Sequence, residues 1–184
     1  KLTSRHIVGL GYGRHRQMED LRIYMVEKKI NNQTYYPNKN LDIARAHHFI
    51  FSYDWLISSS LRLKIEPYYQ LLQKVPGIAD SSYSMINFRQ DWTFSDSLGN
   101  NSRGRNVGID FTLERFLQKN YYFLITGSLF DSKYKAPDGR WRNTRYNKSY
   151  AINLLGGKEF MTPKGHVWGV NLRFNYIGGE RYSP

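Results

Sequence analysis

The chain has 184 residues, 40% hydrophobic and 16% aromatic, with 15 Tyr, no Cys and a formal net charge of +12. No run approaches the roughly 18–20 apolar residues of a spanning helix, and the mean hydropathy of −0.63 argues against helical spans. A β-barrel stays open, because barrel strands average to ordinary hydropathy. Without cysteine there are no disulfides, thiolate metal sites or cysteine nucleophiles.

Period-2 alternation dominates, and helical periodicity is scarce. The opening KLTSRHIVGL has no long apolar core of signal-peptide type, so the expectation is a cytoplasmic chain or an excerpt of a longer mature protein. A first strand is predicted over about 5–12. Its GLGYG (9–13) reads as strand glycine, since a phosphate loop needs a turn opening a helix in a βαβ unit. The second strand, 47–56 (HHFIFSYDWL), puts His47, Phe49, Phe51, Tyr53 and Trp55 on one face and Asp54 on the other. His47 and His48 point apart on a strand and cannot share an ion, so no metal site is expected. The third, 60–70, sets Leu61, Leu63 and Ile65 against Arg62, Lys64 and Glu66, with irregular pairing expected at Pro67.

The fourth strand carries the plainest signal. In GRNVGIDFTLERF (104–116), Val107, Ile109, Phe111 and Leu113 alternate with Gly108, Asp110, Thr112 and Glu114. Asp110 and Glu114 share a face but stand roughly 13 Å apart, beyond the reach of a glycosidase pair. The fifth strand (121–134) sets Phe123, Ile125 and Leu129 against Thr126 and Ser128, and the sixth (147–160) sets Tyr150, Ile152 and Leu154 against Asn153. The seventh (166–177) sets Trp168, Val170, Leu172, Phe174 and Tyr176 against Asn171, Arg173 and Asn175.

The connections alternate in length. Those near 57–60, 117–120 and 161–165 are short, while 13–46, 71–103 and 135–145 are long. In an antiparallel meander this collects short turns at one end and long loops at the other, as in outer-membrane barrels. Strands of about 10–14 residues also exceed the usual five or six and suit a tilted bilayer crossing. The fold class expected is therefore all-β, an antiparallel meander of about seven or eight long strands in one domain.

Side chains then sort into two sets. Val107, Ile109, Phe111, Leu113, Trp168, Val170 and Leu172 would face lipid, and Asp54, Arg62, Lys64, Glu66, Asp110, Glu114, Asn171 and Arg173 would line a lumen. Tyr121, Tyr122 and Trp168 near short turns, with Tyr134 and Tyr176 near long loops, would form two aromatic girdles. Basic residues gather in what read as loops and turns: Arg14, Arg16, Lys28, Lys29, Lys39, Arg103, Arg105, Lys133, Lys135, Arg140, Arg142 and Arg145. In a barrel most would sit at the outer rim, near lipopolysaccharide phosphates, with Arg140, Arg142 and Arg145 as contacts. The N-x-[ST] triplets at Asn32, Asn100 and Asn147 read as composition rather than glycosylation, and Asp138–Gly139 as a turn. An odd strand number leaves an edge, so a segment of a larger barrel is expected.

The segments LGYGRHRQMEDLRIY (10–24), LKIEPYYQLLQKVP (63–76), GRNVGIDFTLERF (104–116), YYFLITGSLFDSKYKAPDG (121–139), NLLGGKEF (153–160) and YIGGERYSP (176–184) resemble the C-terminal barrel region of TonB-dependent receptors of Bacteroidetes type. The resemblance implies a 22-stranded outer-membrane barrel, closed by an N-terminal plug, that admits a scarce nutrient when TonB pulls the plug. This sequence shows no plug, no TonB-contacting segment and no terminal strand ending in an aromatic. The expected protein is then a transport receptor segment, with no catalytic residues and no cofactor. Its partners would be outer-membrane lipid and lipopolysaccharide, the TonB complex acting through the absent plug, and a nutrient the loops do not name. A complete small barrel, either a lipocalin-like soluble carrier or a small outer-membrane barrel, is the alternative. A basic β module binding single-stranded nucleic acid is the third.

Overall fold

The computed structural model describes residues 4–87 and 95–181. Part of the third connection (88–94) and the end of YIGGERYSP (182–184) lie outside them. In chain order the elements are β1 (His6–Gln17), α1 (Leu21–Tyr24), β2 (Lys28–Ile30), β3 (Gln33–Tyr35), β4 (Ala44–Ser58) and β5 (Leu61–Gly77). A 3-10 turn (Met85–Asn87) precedes β6 (Gly99–Gln118), β7 (Tyr121–Lys135), β8 (Trp141–Asn143), β9 (Tyr150–Met161) and β10 (Val167–Ile177). Strand makes up 65% of the described residues and helix 4%.

Seven long strands form one antiparallel sheet in the order β1-β4-β5-β6-β7-β9-β10, so every long strand pairs with the next along the chain. The short β8 takes over the edge of β7 at Lys133–Lys135, beyond the stretch paired with β9. The sheet is open; β1 and β10 do not pair with each other. It is all-β as expected, but it is not a closed barrel.

The alternation of connections is as expected. β4 and β5 join across Ser59–Ser60 and β6 and β7 across Lys119–Asn120. Lys119 and Asn120 both have positive φ (55° and 65°), the conformation of a hairpin turn whose twist matches its strands. Asn31 and Asn32 do the same between β2 and β3. At the opposite end lie the long connections 18–43, 78–98 and 136–149. The first two are shorter than predicted because β1, β4, β5 and β6 run on past their alternating stretches, while the third is longer because β9 begins only at Tyr150. At Pro67 the register with Ile109 is unbroken, and on the β4 side the same register resumes at Tyr53↔Ile65. The slips fall elsewhere, between Leu72 and Gly77, where Lys74 takes a φ of 57°, and at the turns.

Register fixes the faces, since directly paired residues share one. One row runs Trp55, Leu63, Leu113, Ile125, Leu154, Phe174, and the next runs Tyr53, Ile65, Phe111, Gly127, Ile152, Tyr176. The Phe111 ring fills the space above Gly127, where a Cβ would come within 2.1 Å of it. Among the described residues this apolar face carries no second layer. Leu10, Phe49, Val107, Ile109, Leu129 and Leu172 on it are 39–86% exposed. The buried apolar side chains, Ile23, Val26, Val75, Leu98, Tyr134 and Ala136, gather instead at the long-loop end. A compact monomer of this mass exposes about 9,200 Å²; this chain exposes 12752 Å². The surplus is the uncovered sheet.

Candidate functional site

The other face of the sheet carries the polar chemistry. Asp54, Arg62, Lys64, Glu66, Asp110, Glu114, Asn171 and Arg173 all have the register parity of this face, and Val107, Ile109, Phe111, Leu113, Trp168, Val170 and Leu172 all have that of the apolar one. The two predicted sets are therefore the two sides of one sheet.

On the polar side the charges pair across strands. Arg62 donates to both carboxylate oxygens of Asp54, its Nε at 2.9 and 3.1 Å, and reaches Glu114 at 3.9 Å. One guanidinium on β5 thus ties β4 to β6. Lys64 pairs with Glu66 along the strand at 2.8 Å. Asp110 accepts from Ser128 at 2.5 Å, so Asp110 and Glu114 have separate partners and do not act together. Asn171 accepts from the Tyr122 hydroxyl at 2.9 Å, and Arg173 has no acid within 4.0 Å among the described residues.

Sequence reasoning missed a neutral ladder on the same face. Asn106 donates to Gln70 at 2.6 Å, Ser132 donates to Asn106 at 2.6 Å, and Thr144 donates to Ser132 at 2.8 Å. Asn153 donates to Thr126 at 3.1 Å. The signal was the period-2 continuation of the polar face past Glu66 to Tyr68 and Gln70. Beside this ladder lies a hollow of about 440 Å³ lined by His48, Glu66, Tyr68, Asp110, Ser132 and Tyr146. His48 faces it, while His47 points the other way and hydrogen-bonds Tyr12 at 2.9 Å. No group of three metal-ligating side chains is present among the described residues.

At the long-loop end of the sheet the described parts of the long connections form a hydrogen-bonded cap. Asn38, fully buried, donates to the Asp96 carbonyl at 2.9 Å and accepts from the Leu98 amide at 2.8 Å. Asn100 accepts from the Asp42 amide and donates to the carbonyls of Asp42 and Lys74, pinning the bulge in β5. Asn147, 2% exposed, donates to Asp131 and Asn143. Asn100 and Asn147 of the N-x-[ST] triplets are thus structural ties. Arg142 grips Asp138 beyond the Gly139 turn, and with the Arg140 amide it lowers the Asp138 carboxyl to about 2. Lys74, hydrogen-bonded to Asp42 at 2.6 Å, holds that carboxyl below its ordinary value.

Two expectations need correction. Tyr122 and Tyr134 lie on the polar face, and Tyr134 is buried with its hydroxyl on the Ser82 carbonyl, so neither belongs to a girdle. The apolar face instead carries Trp55, Tyr121, Phe160 and Trp168 toward the short turns and Tyr12, Phe49, Tyr69, Tyr150 and Tyr176 toward the loops. Second, Arg14, Arg16, Arg103, Arg105, Lys133 and Lys135 are not in loops. They continue β1, β6 and β7 on the apolar face, just beyond its last hydrophobic side chains.

No family model, curated protein or solved structure matches this chain.

Proposed function

We propose that this chain is part of the wall of an outer-membrane barrel of TonB-dependent receptor type, a single wall domain, with further strands completing the barrel along β1 and β10. Its apolar face would contact lipid, its polar face would line the lumen against a plug, and its loop cap would face outside and meet a scarce nutrient. TonB would supply the energy through that plug. The role is transport rather than catalysis.

One observation carries the reading. On β6 the apolar side chains Val107 to Leu113 are bracketed on the same face by Arg105 and Arg115, each lying over an aromatic ring, Trp141 at 4.8 Å and Tyr121 at 4.3 Å. Ten residues of strand span about 34 Å, which at a tilt of about 45° covers about 24 Å of membrane normal. Outer-membrane barrels have an apolar band of about 25 Å between aromatic girdles. The open apolar face also supports lipid contact over a soluble carrier, which would wrap that face around a cavity. Arg62 and Lys64 on the polar face are matched by Asp54, Glu114 and Glu66, and most of the other strand cations gather at the edge of the apolar face, which speaks against a nucleic-acid groove.

The test is flotation. The chain refolded with phosphatidylcholine vesicles should float with them and resist extraction at high salt and at alkaline pH. Recovery of a monodisperse soluble form without detergent would refute the reading.

A further inference from the structure

Cations oppose one another across strands on this face in two places, and on β6 and β7 Arg103 faces Lys135 and Arg105 faces Lys133. Lys133 pairs with Asp131 at 3.1 Å and Arg105 covers Trp141. Among the described residues Arg14, Arg16 and Arg45 on β1 and β4 make no ion pair or ring contact, and Asp42 is the carboxylate that feels the charge of Arg45. Arg16 is paired directly with Arg45 across the strands, and Arg14 with His47. The like charges of Arg16 and Arg45, facing each other this way, repel. Among the described residues no carboxylate lies within 4.0 Å of Arg14, Arg16 or Arg45, and the nearby Asp42 is engaged by Lys74. The Arg45 Nε is shut off from solvent and makes no hydrogen bond.

Directly below, toward the middle of the sheet, a groove of about 490 Å³ opens on the same face. It is lined by Leu10, Tyr12, Phe49, Phe51, Pro67 and Tyr69. From Leu10 to Arg14 the strand advances about 13 Å, so cations sit at one end of an apolar trough. A linear polyanion would need cations all along its path. A molecule with one anionic head and a hydrocarbon tail fits this arrangement.

We propose that this corner seats a phosphate-bearing membrane lipid, its acyl chain in the trough and its phosphate on Arg14, Arg16 and Arg45. The inference rests on the membrane reading above and adds a specific lipid site to it. Neutralising repulsion between Arg16 and Arg45 makes the lipid a structural partner of the β1–β4 pairing.

The test uses the full chain in neutral detergent, loaded from phosphatidylcholine vesicles doped with lipid A or with its dephosphorylated form, and native mass spectrometry to count retained lipid. The wild type retains lipid A and loses the dephosphorylated form. The combined variant Arg14→Gln, Arg16→Gln, Arg45→Gln binds lipid A on the order of 100-fold more weakly. The variant Arg140→Gln, whose side chain lies in the loop cap, retains it. Inorganic phosphate does not displace the lipid at matched concentration; displacement would mean a free-anion site and overturn the proposal. Equal retention by wild type and triple variant, with both floating on neutral vesicles, overturns the proposal alone. Failure of the wild type to float overturns the membrane reading and the lipid site with it.

Discussion

Replacing Ile109 by Arg separates lipid from water as the neighbour of the apolar face. Ile109 sits between Pro67 and Leu129, near the midpoint of the stretch from Arg105 to Arg115, and is 39% exposed. In water an exposed Ile to Arg change is within about 0.5 kcal/mol of neutral. At the middle of a bilayer an outward Arg on a barrel costs about 2–4 kcal/mol, which lowers the folded-to-unfolded ratio by roughly 30- to 1,000-fold. Val107, one position nearer the Arg105 edge on this face, provides the depth control, and Val107→Arg should cost less than Ile109→Arg. The assay is an equilibrium urea titration of the chain in phosphatidylcholine vesicles, followed by tryptophan fluorescence. A neutral or stabilising Ile109→Arg, or equal costs at both positions, would refute the lipid-facing assignment.

On the polar face, Asp54→Asn should destabilise by about 1 kcal/mol, a charge-assisted hydrogen bond discounted for the partial exposure of Arg62. A double-mutant cycle with Arg62→Gln in the same titration should show the two changes to be strongly non-additive. Gly127→Val drives a side chain into the Phe111 ring and should cost about 1–3 kcal/mol; pairing it with Phe111→Ala should recover part of that loss. Asn38→Ala removes both ties to the segment 95–98, and limited proteolysis should then cut the 18–43 connection faster while the sheet's urea midpoint hardly moves. The Asp138 carboxyl, lowered to about 2 in the folded chain, contributes stability above its unfolded value of 3.8 that is lost as pH falls toward 2. The protection factors of residues 136–149, with the intrinsic pH dependence of exchange divided out, should therefore hold steady from neutral pH to about 4 and fall below it. In Arg142→Gln the same opening should begin at higher pH.

The sheet was legible where the physics is local. Successive strand residues point to opposite sides, so Val107 to Glu114 declare their two faces within eight residues. The strand ends were not legible. β5 continues through Val75, Pro76 and Gly77 and β6 begins at Gly99, stretches of turn-like composition that pair because a bulge at Lys74 is pinned by Asn100. Tyr121 and Tyr122 were legible by the alternation rule, since adjacent strand residues face opposite ways and Tyr121 shares its parity with Phe123, Ile125 and Leu129. Asn38 gave no signal at all, because its partners are 58 and 60 residues away. The basic side chains were seen as a group, but their position on the apolar face followed from strands that run longer than the alternating pattern.

The central claim is tested most directly on β6 itself. The chain has no cysteine, so single cysteines at each position from 106 to 114 can carry an environment-sensitive fluorophore against a clean background. In vesicles containing a lipid-borne quencher, labels at Val107, Ile109, Phe111 and Leu113 should be quenched and those at Asn106, Gly108, Asp110, Thr112 and Glu114 spared, giving a period of two. Uniform quenching, or quenching at the even positions, would contradict the account.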